Sequence, residues 1–234
     1  MIPIGDRNPT RNFVFVNLLL LLANIAVFVY ELSLGGQRLE AFINVWGVRS
    51  IDVLGLLRGD LDLLAPVLIK STVSMFLHGG WSHIIFNMLF LWIFGDNVED
   101  AFGHALYLVF YLVCGIVASL AQVLVNASSN VPGVGASGAI AGVLAAYIIL
   151  FGARPVRVLM QGFLTSVPSY VMIGLWFVTQ LLSGFGSLGQ DGGGVAYWAH
   201  IGGFVCGLVL TFLLRGIARP RAAGSGAARR SLSR

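Results

Sequence analysis

Long apolar runs, each closed by a short cluster of Gly, Ser, Asn or charged residues, set the pattern of the chain. After a polar opening, MIPIGDRNPTR, the first run extends from Asn12 to about Tyr30. A second covers about Ile84 to Phe94, led in by the mixed stretch Ser74–His83, and a third covers Ala105 to Val125. Three more follow at Ser137–Phe151, Pro168–Leu182 and Ala196–Leu214. A helix needs about 20 apolar residues to cross a bilayer, and lipid offers no partner to an open strand edge. The pattern therefore predicts an all-α, polytopic membrane protein, a bundle of six transmembrane helices. The first run is too long for a signal-peptide core and lacks a convincing cleavage site. Residues 1–11 are then an N-terminal segment, 12–215 the six-span unit, and 216–234 a basic, disordered tail without periodicity.

The connections carry their own signals. The long first loop, Leu32 to about Val73, contains VLGLLRGDLDLLAPVLI, an amphipathic stretch that lies in the membrane interface or dips into it, the interfacial position being favoured. Gly95–Gly103 reads as an acidic loop with Asp96, Glu99 and Asp100. Between the fifth and sixth spans, SGFGSLGQDGGG over Ser183–Gly194 suits a mobile cover or an ordinary flexible linker.

Composition narrows the class. With 57% hydrophobic and 10% charged residues, and a mean hydropathy of +0.88, a water-soluble globule is excluded, and no sizeable extramembrane domain is accommodated. Six spans place both ends on one side, and the distribution of Lys and Arg decides which. With both termini cytoplasmic, Arg7, Arg11, Arg154, Arg157 and the six arginines from Arg215 onward lie inside, against Arg38, Arg49, Arg58 and Lys70 outside. The basic tail suits an anionic lipid surface and not nucleic acid. Cys114 and Cys206 both lie in apolar runs, which argues against a disulfide framework or a zinc site.

Polar residues inside apolar runs are functional candidates. HGGWSHIIFNM places His83 and Asn87 four apart, on one helix face, at the start of the second span. PGVGASGAIAG places Ser137 where a Gly-rich loop becomes the fourth span, and YWAHIGGFVCG places His200 one turn into the sixth. Spans two, four and six run in the same direction, so these four residues share a depth near the outer face. Gly138 and Gly142 form a small-residue stripe in the fourth span; Ala199, Gly203 and Gly207 form another in the sixth. If the stripes face each other, the helices approach closely, and Ser137 and His200 come within hydrogen-bond reach, about 3 Å. That is the geometry of a nucleophile and its base. The only acid beyond Ala101 is Asp191, and Asp96, Glu99 and Asp100 fall on the wrong side, so a dyad is expected and not a triad. Backbone N–H at the start of the fourth helix, including that of Ser137, with His83 and Asn87, would supply an oxyanion hole. His78 and His104 lie near the membrane boundary and are expected to be non-catalytic.

These residues resemble the rhomboid family of intramembrane serine proteases. His83–Asn87 is similar to its HxxxN element, Gly135–Gly138 to its GxSG element, and Ala199–Gly207 to its AHxxGxxxG element, in the family's order. The resemblance covers about Ser74 to Leu214 and includes GDNVEDAFGH. It implies Ser137 as nucleophile, His200 as general base and later acid, and His83 with Asn87 in the oxyanion hole. Gly135 would give the loop its tight approach, and Gly203 and Gly207 close packing of the sixth span. Substrates would be single-span membrane proteins cut near the outer end of their helix, entering past the fifth span and the loop Ser183–Gly194. No metal or organic cofactor is implied. Two features depart from the pattern. Ala141 stands where some relatives stack an aromatic on the histidine, leaving support to Trp198 or Tyr197, and the first loop has only Trp46-Gly-Val-Arg49 for a Trp-Arg pair.

The sequence thus points to a serine endopeptidase, in keeping with a minimal enzyme of a bacterial cytoplasmic membrane. A non-catalytic binder of membrane helices is the alternative. A small transporter is disfavoured by the lack of buried acids and of an inverted repeat.

Overall fold

The computed structural model describes residues 1–188 and 194–220. In chain order its elements are β1 (Ile2–Asp6), α1 (Phe15–Leu34), α2 (Gly36–Trp46), α3 (Ser50–Leu57), α4 (Leu64–Val73), α5 (Trp81–Phe90), α6 (Asp96–Phe102), α7 (His104–Val125), α8 (Ser137–Phe151), β2 (Pro155–Met160), β3 (Phe163–Pro168), α9 (Ser169–Gly186) and α10 (Tyr197–Leu214). The protein is a mostly helical, polytopic membrane bundle. Helices α1, α7, α9 and α10 are each long and apolar enough to cross a bilayer. The helical unit Trp81–Phe102 follows Leu61–Phe76 at a bend of 91°, and α8 is a shorter apolar helix.

Helix α8 sits at the centre, buried continuously from Gly138 to Tyr147. Against it lies α10, and the contact is backbone on backbone. A Cβ on Gly203 would overlap the Gly138 carbonyl, and one on Gly207 the Gly142 carbonyl. On its other side α8 meets α7, where a Cβ on Gly142 would come 2.5 Å from Cys114 Sγ. The two small-residue stripes therefore do face each other. Close approach of this kind is how helices gain packing energy in lipid, where apolar side chains have no water to escape.

Gly95–Gly103, expected to be a loop, is helical. A π-helical turn, Leu91–Gly95, joins α5 to α6 without a break. The reason lies in Glu99, which is fully buried and accepts from the N–H groups of Val16 (3.0 Å) and Asn17 (2.6 Å) at the start of α1. His104 Nδ1 pairs with the same carboxylate at 2.5 Å. Asn17 Nδ2 in turn donates to the Leu91 carbonyl at 3.1 Å, and Tyr107 donates to Asn17 Oδ1 at 2.7 Å. A second buried acid, Glu31, accepts the His78 N–H at 3.2 Å. The expected lack of buried acids is thus corrected: Glu31 and Glu99 are both buried, Glu31 holding one backbone N–H and Glu99 two.

A small antiparallel sheet, ordered β1-β2-β3, closes the end of the bundle opposite Ser137 and was not foreseen. The β2–β3 turn uses Gln161 (φ 51°) and Gly162 (φ 85°), both left-handed, as a tight hairpin requires. Asp6, on β1, accepts from Tyr147 (2.6 Å) and Asn97 (3.0 Å), so the N-terminal segment is tied to α8 and α6. Burial pushes the Asp6 carboxyl above the usual carboxylate range, and the Tyr147 hydrogen bond pulls it back in part.

The first loop is folded onto the protein. Val53 and Val67, from α3 and α4, pack with Val48 and with Val123 of α7, and Lys70 pairs with Asp52 at 2.5 Å. Part of the stretch thus has a protein partner, while Leu57, Leu61, Leu64, Leu68 and Ile69 stay exposed. At the other end the Arg219 N–H donates to Ala101 O at 2.8 Å. Of the Gly-rich loop, Ser183–Gly186 end α9, and residues 189–193, like the tail from 221, lie outside the described residues.

Candidate active site

The loop before α8 is held by backbone bonds before any side chain acts. Val48 and Gly133 exchange N–H···O bonds of 3.0 and 2.8 Å, and Gly135 N–H donates to Ser74 O at 2.8 Å. Gly135 has φ +121°, a conformation that L side chains rarely adopt. This turn delivers Ser137 as the first residue of α8, where backbone N–H groups have no partner inside the helix.

His200, on the second turn of α10, is buried, and its Nε2 lies 2.7 Å from Ser137 Oγ. The glycine seam below is what makes this possible. Gly138 follows Ser137, Gly203 follows His200 by three, and the two touch through backbone. His200 Nδ1 lies 2.7 Å from Gln180 Oε1, on α9. The imidazole also lies beside Trp176, with ring centroids 5.7 Å apart at 35°. Support for His200 was expected from Trp198 or Tyr197. It comes instead from Gln180 and Trp176, while the Trp198 ring packs edge-on against Phe185 at 5.4 Å.

His83 and Asn87 occupy one face of α5. Gly79 N–H donates to His83 Nδ1 at 3.3 Å, so a neutral His83 carries its proton on Nε2. That nitrogen points at the nucleophile turn: a Cβ on Gly135 would lie 2.6 Å from it and 3.8 Å from Ser137 Oγ. Asn87 Nδ2 is buried without a hydrogen-bond partner among the described residues. His78 is buried and packs edge-on against His83 at 5.1 Å. A cavity of about 40 Å³ behind Ser137 is bordered by Ser74, Ser119, Gln122 and Gly138, enough for a water molecule.

The structure therefore brings Ser137, His200, His83 and the Gly135 turn together at one end of the bundle. Among the described residues no group of three or more His, Cys, Asp or Glu could hold a metal ion. The sequence model of the Rhomboid domain matches residues 67–217. The chain belongs to the rhomboid family. Members of that family are intramembrane serine proteases that act on transmembrane substrates within the bilayer.

Individual rhomboid relatives agree. The chain is 29% identical over 224 residues to Rhomboid protease GluP of Bacillus subtilis, covering 94% of this chain and 37% of that one. It is 27% identical over 201 residues to Rhomboid-like protein 11, chloroplastic, of Arabidopsis thaliana, covering 82% and 66%. With Rhomboid protease AarA of Providencia stuartii it shares 30% identity over 149 residues, covering 57% and 50%. The chain thus spans between about a third and two thirds of the length of these relatives.

Gln180 was missed in the sequence although it interrupts an apolar run. An amide in mid-span is costly unless it has a partner, and that signal, applied to Gln180 as it was to Asn87, would have found it.

Proposed function

We propose that this protein is an intramembrane serine endopeptidase that works through a Ser137–His200 dyad and an acyl-enzyme. The 2.7 Å approach of Ser137 Oγ to His200 Nε2 carries the reading. Ser137 Oγ attacks the scissile carbonyl carbon as its proton passes to His200 Nε2. The resulting oxyanion takes donors from the Ser137 backbone N–H, His83 Nε2–H and Asn87 Nδ2. The C–N bond then breaks as His200 returns the proton to the departing amine. Water from the small cavity attacks the Ser137 ester, His200 accepts its proton, and release of the acid restores the serine hydroxyl.

The membrane arrangement belongs to the same proposal. The four long helices, the unit Trp81–Phe102 and α8 make six spans, with both termini cytoplasmic and the site near the outer face. The ten-to-four bias of Lys and Arg supports that orientation. Substrates are single-span membrane proteins cut near the outer end of their helix. They reach His200 between α5 and α9, where Phe90 and Trp176 stand 6.5 Å apart.

The test is cleavage of a single-span substrate in proteoliposomes, together with labelling by a serine-reactive fluorophosphonate. Cleavage by the wild type, with an adduct on Ser137 that is lost in His200→Ala, is the expected result. Undiminished cleavage by Ser137→Ala overturns the reading.

A further inference from the structure

We infer that Gln180 is a positioning residue for the dyad: its side-chain carbonyl keeps the His200 proton on Nδ1 and leaves Nε2 free to accept from Ser137. This rests on the dyad reading above. A neutral imidazole has two tautomers, and only the one protonated on Nδ1 offers a lone pair at Nε2. The 2.7 Å contact selects that form if Gln180 presents oxygen, and its surroundings decide the point. Gln180 Nε2 donates to Trp176 O at 3.3 Å and to Thr179 Oγ1 at 3.2 Å. A backbone carbonyl can only accept, so the amide nitrogen must face Trp176 and the oxygen must face His200. Thr179 Oγ donates to the same carbonyl at 2.6 Å, which leaves its lone pair for the amide.

The choice of an amide has a physical reason. The buried carboxylates are engaged elsewhere, Glu31 on the His78 N–H and Glu99 at the far end of the bundle. An ionised third partner beside His200 would add a costly charge within the apolar bundle. A neutral carbonyl fixes the same tautomer without that cost. When His200 takes the Ser137 proton, the Nδ1–H···O bond becomes charge-assisted and strengthens in the transition state. The orienting group also comes from α9, which holds α10 through Phe177 stacked on Phe204 at 4.1 Å. The dyad is thus assembled from three helices.

The experiment compares Gln180→Leu, which keeps the volume, with Gln180→Glu, which presents a carbonyl or carboxylate oxygen to Nδ1. Substrate cleavage in proteoliposomes gives kcat and KM, and nitrogen-15 NMR of histidine-labelled protein gives the tautomer of His200. The expected result is a Nδ1-protonated His200 in the wild type. Gln180→Leu loses about 10- to 100-fold in kcat with KM held, and Gln180→Glu recovers most of it. Equal losses in both variants, or a wild-type His200 protonated on Nε2, overturn the inference, the second even if Gln180→Leu does not fold. Full activity in a Ser137→Ala control would instead overturn the dyad reading itself.

Discussion

Gly135 and His83 are in contact across the nucleophile turn: a Cβ on the glycine would lie 2.6 Å from the imidazole Nε2. Space and backbone conformation coincide here, because Gly135 also has φ +121°. Gly135→Ala is expected to cost about 1–3 kcal/mol in backbone strain and to push His83 away from the turn. Cleavage should fall at least about 10-fold, since a misplaced group near the chemistry is felt strongly. Thermal unfolding in detergent and substrate cleavage, measured side by side, check it. Wild-type activity in Gly135→Ala would show that His83 is not held by this contact.

Asn87 offers a contrast between stability and activity. Its Nδ2 is buried without a partner among the described residues, so its removal takes away an unsatisfied polar group. Asn87→Ala is expected to unfold at the same temperature as the wild type or higher, while kcat falls by up to about 10²–10³-fold through loss of an oxyanion donor. His83→Ala should lose activity similarly, because Nε2–H is its donor in the tautomer that Gly79 sets. A drop in KM-limited binding with kcat unchanged would assign both residues to substrate binding instead.

The seam between α8 and α10 couples packing to the dyad. Gly203 touches the Gly138 backbone, and those residues stand beside His200 and Ser137. Gly203→Ala must separate the helices and is expected to cost about 1–3 kcal/mol by overpacking. The same displacement lengthens the 2.7 Å hydrogen bond, so fluorophosphonate labelling of Ser137 should be lost before the fold is. Gly207→Ala, a turn further from the dyad, should destabilise comparably and label better. Equal labelling in both variants would separate the seam from the site.

How much of this was readable in the sequence depends on whether the signal was local. Ser137–Phe151 is bounded in the structure as the apolar run bounds it, because a Gly-rich loop and Gly152 mark both ends. The facing stripes of α8 and α10, which bring His200 to Ser137, followed from residue size. What was hidden depended on partners distant in sequence. Nothing near Glu99 announces that its carboxylate holds the N–H groups of Val16 and Asn17, so Gly95–Gly103 looked like a solvated acidic loop. Strands β1 and β2 are more than a hundred residues apart, and neither has a hairpin signal toward the other. The support of His200 was sought among its neighbours on α10, whereas Gln180 and Trp176 come from α9.

Glu99 gives the last test, at the far end of the bundle from the dyad. Its carboxylate accepts from Val16 and Asn17 N–H, two of the donors that a helix N-terminus leaves without partners. The positive end of the α1 dipole and the His104 contact at 2.5 Å both favour a negative group there. Glu99→Ala strands two buried N–H groups and is expected to cost about 2–4 kcal/mol. Glu99→Gln keeps one carbonyl oxygen for one N–H and should recover part of that loss. Unfolding midpoints in detergent order the three proteins. Because Ser137 lies at the other end of α8, the folded fraction of Glu99→Gln should label at Ser137 at the wild-type rate. A Glu99→Ala protein as stable as the wild type would show that α1 is held by its apolar face alone.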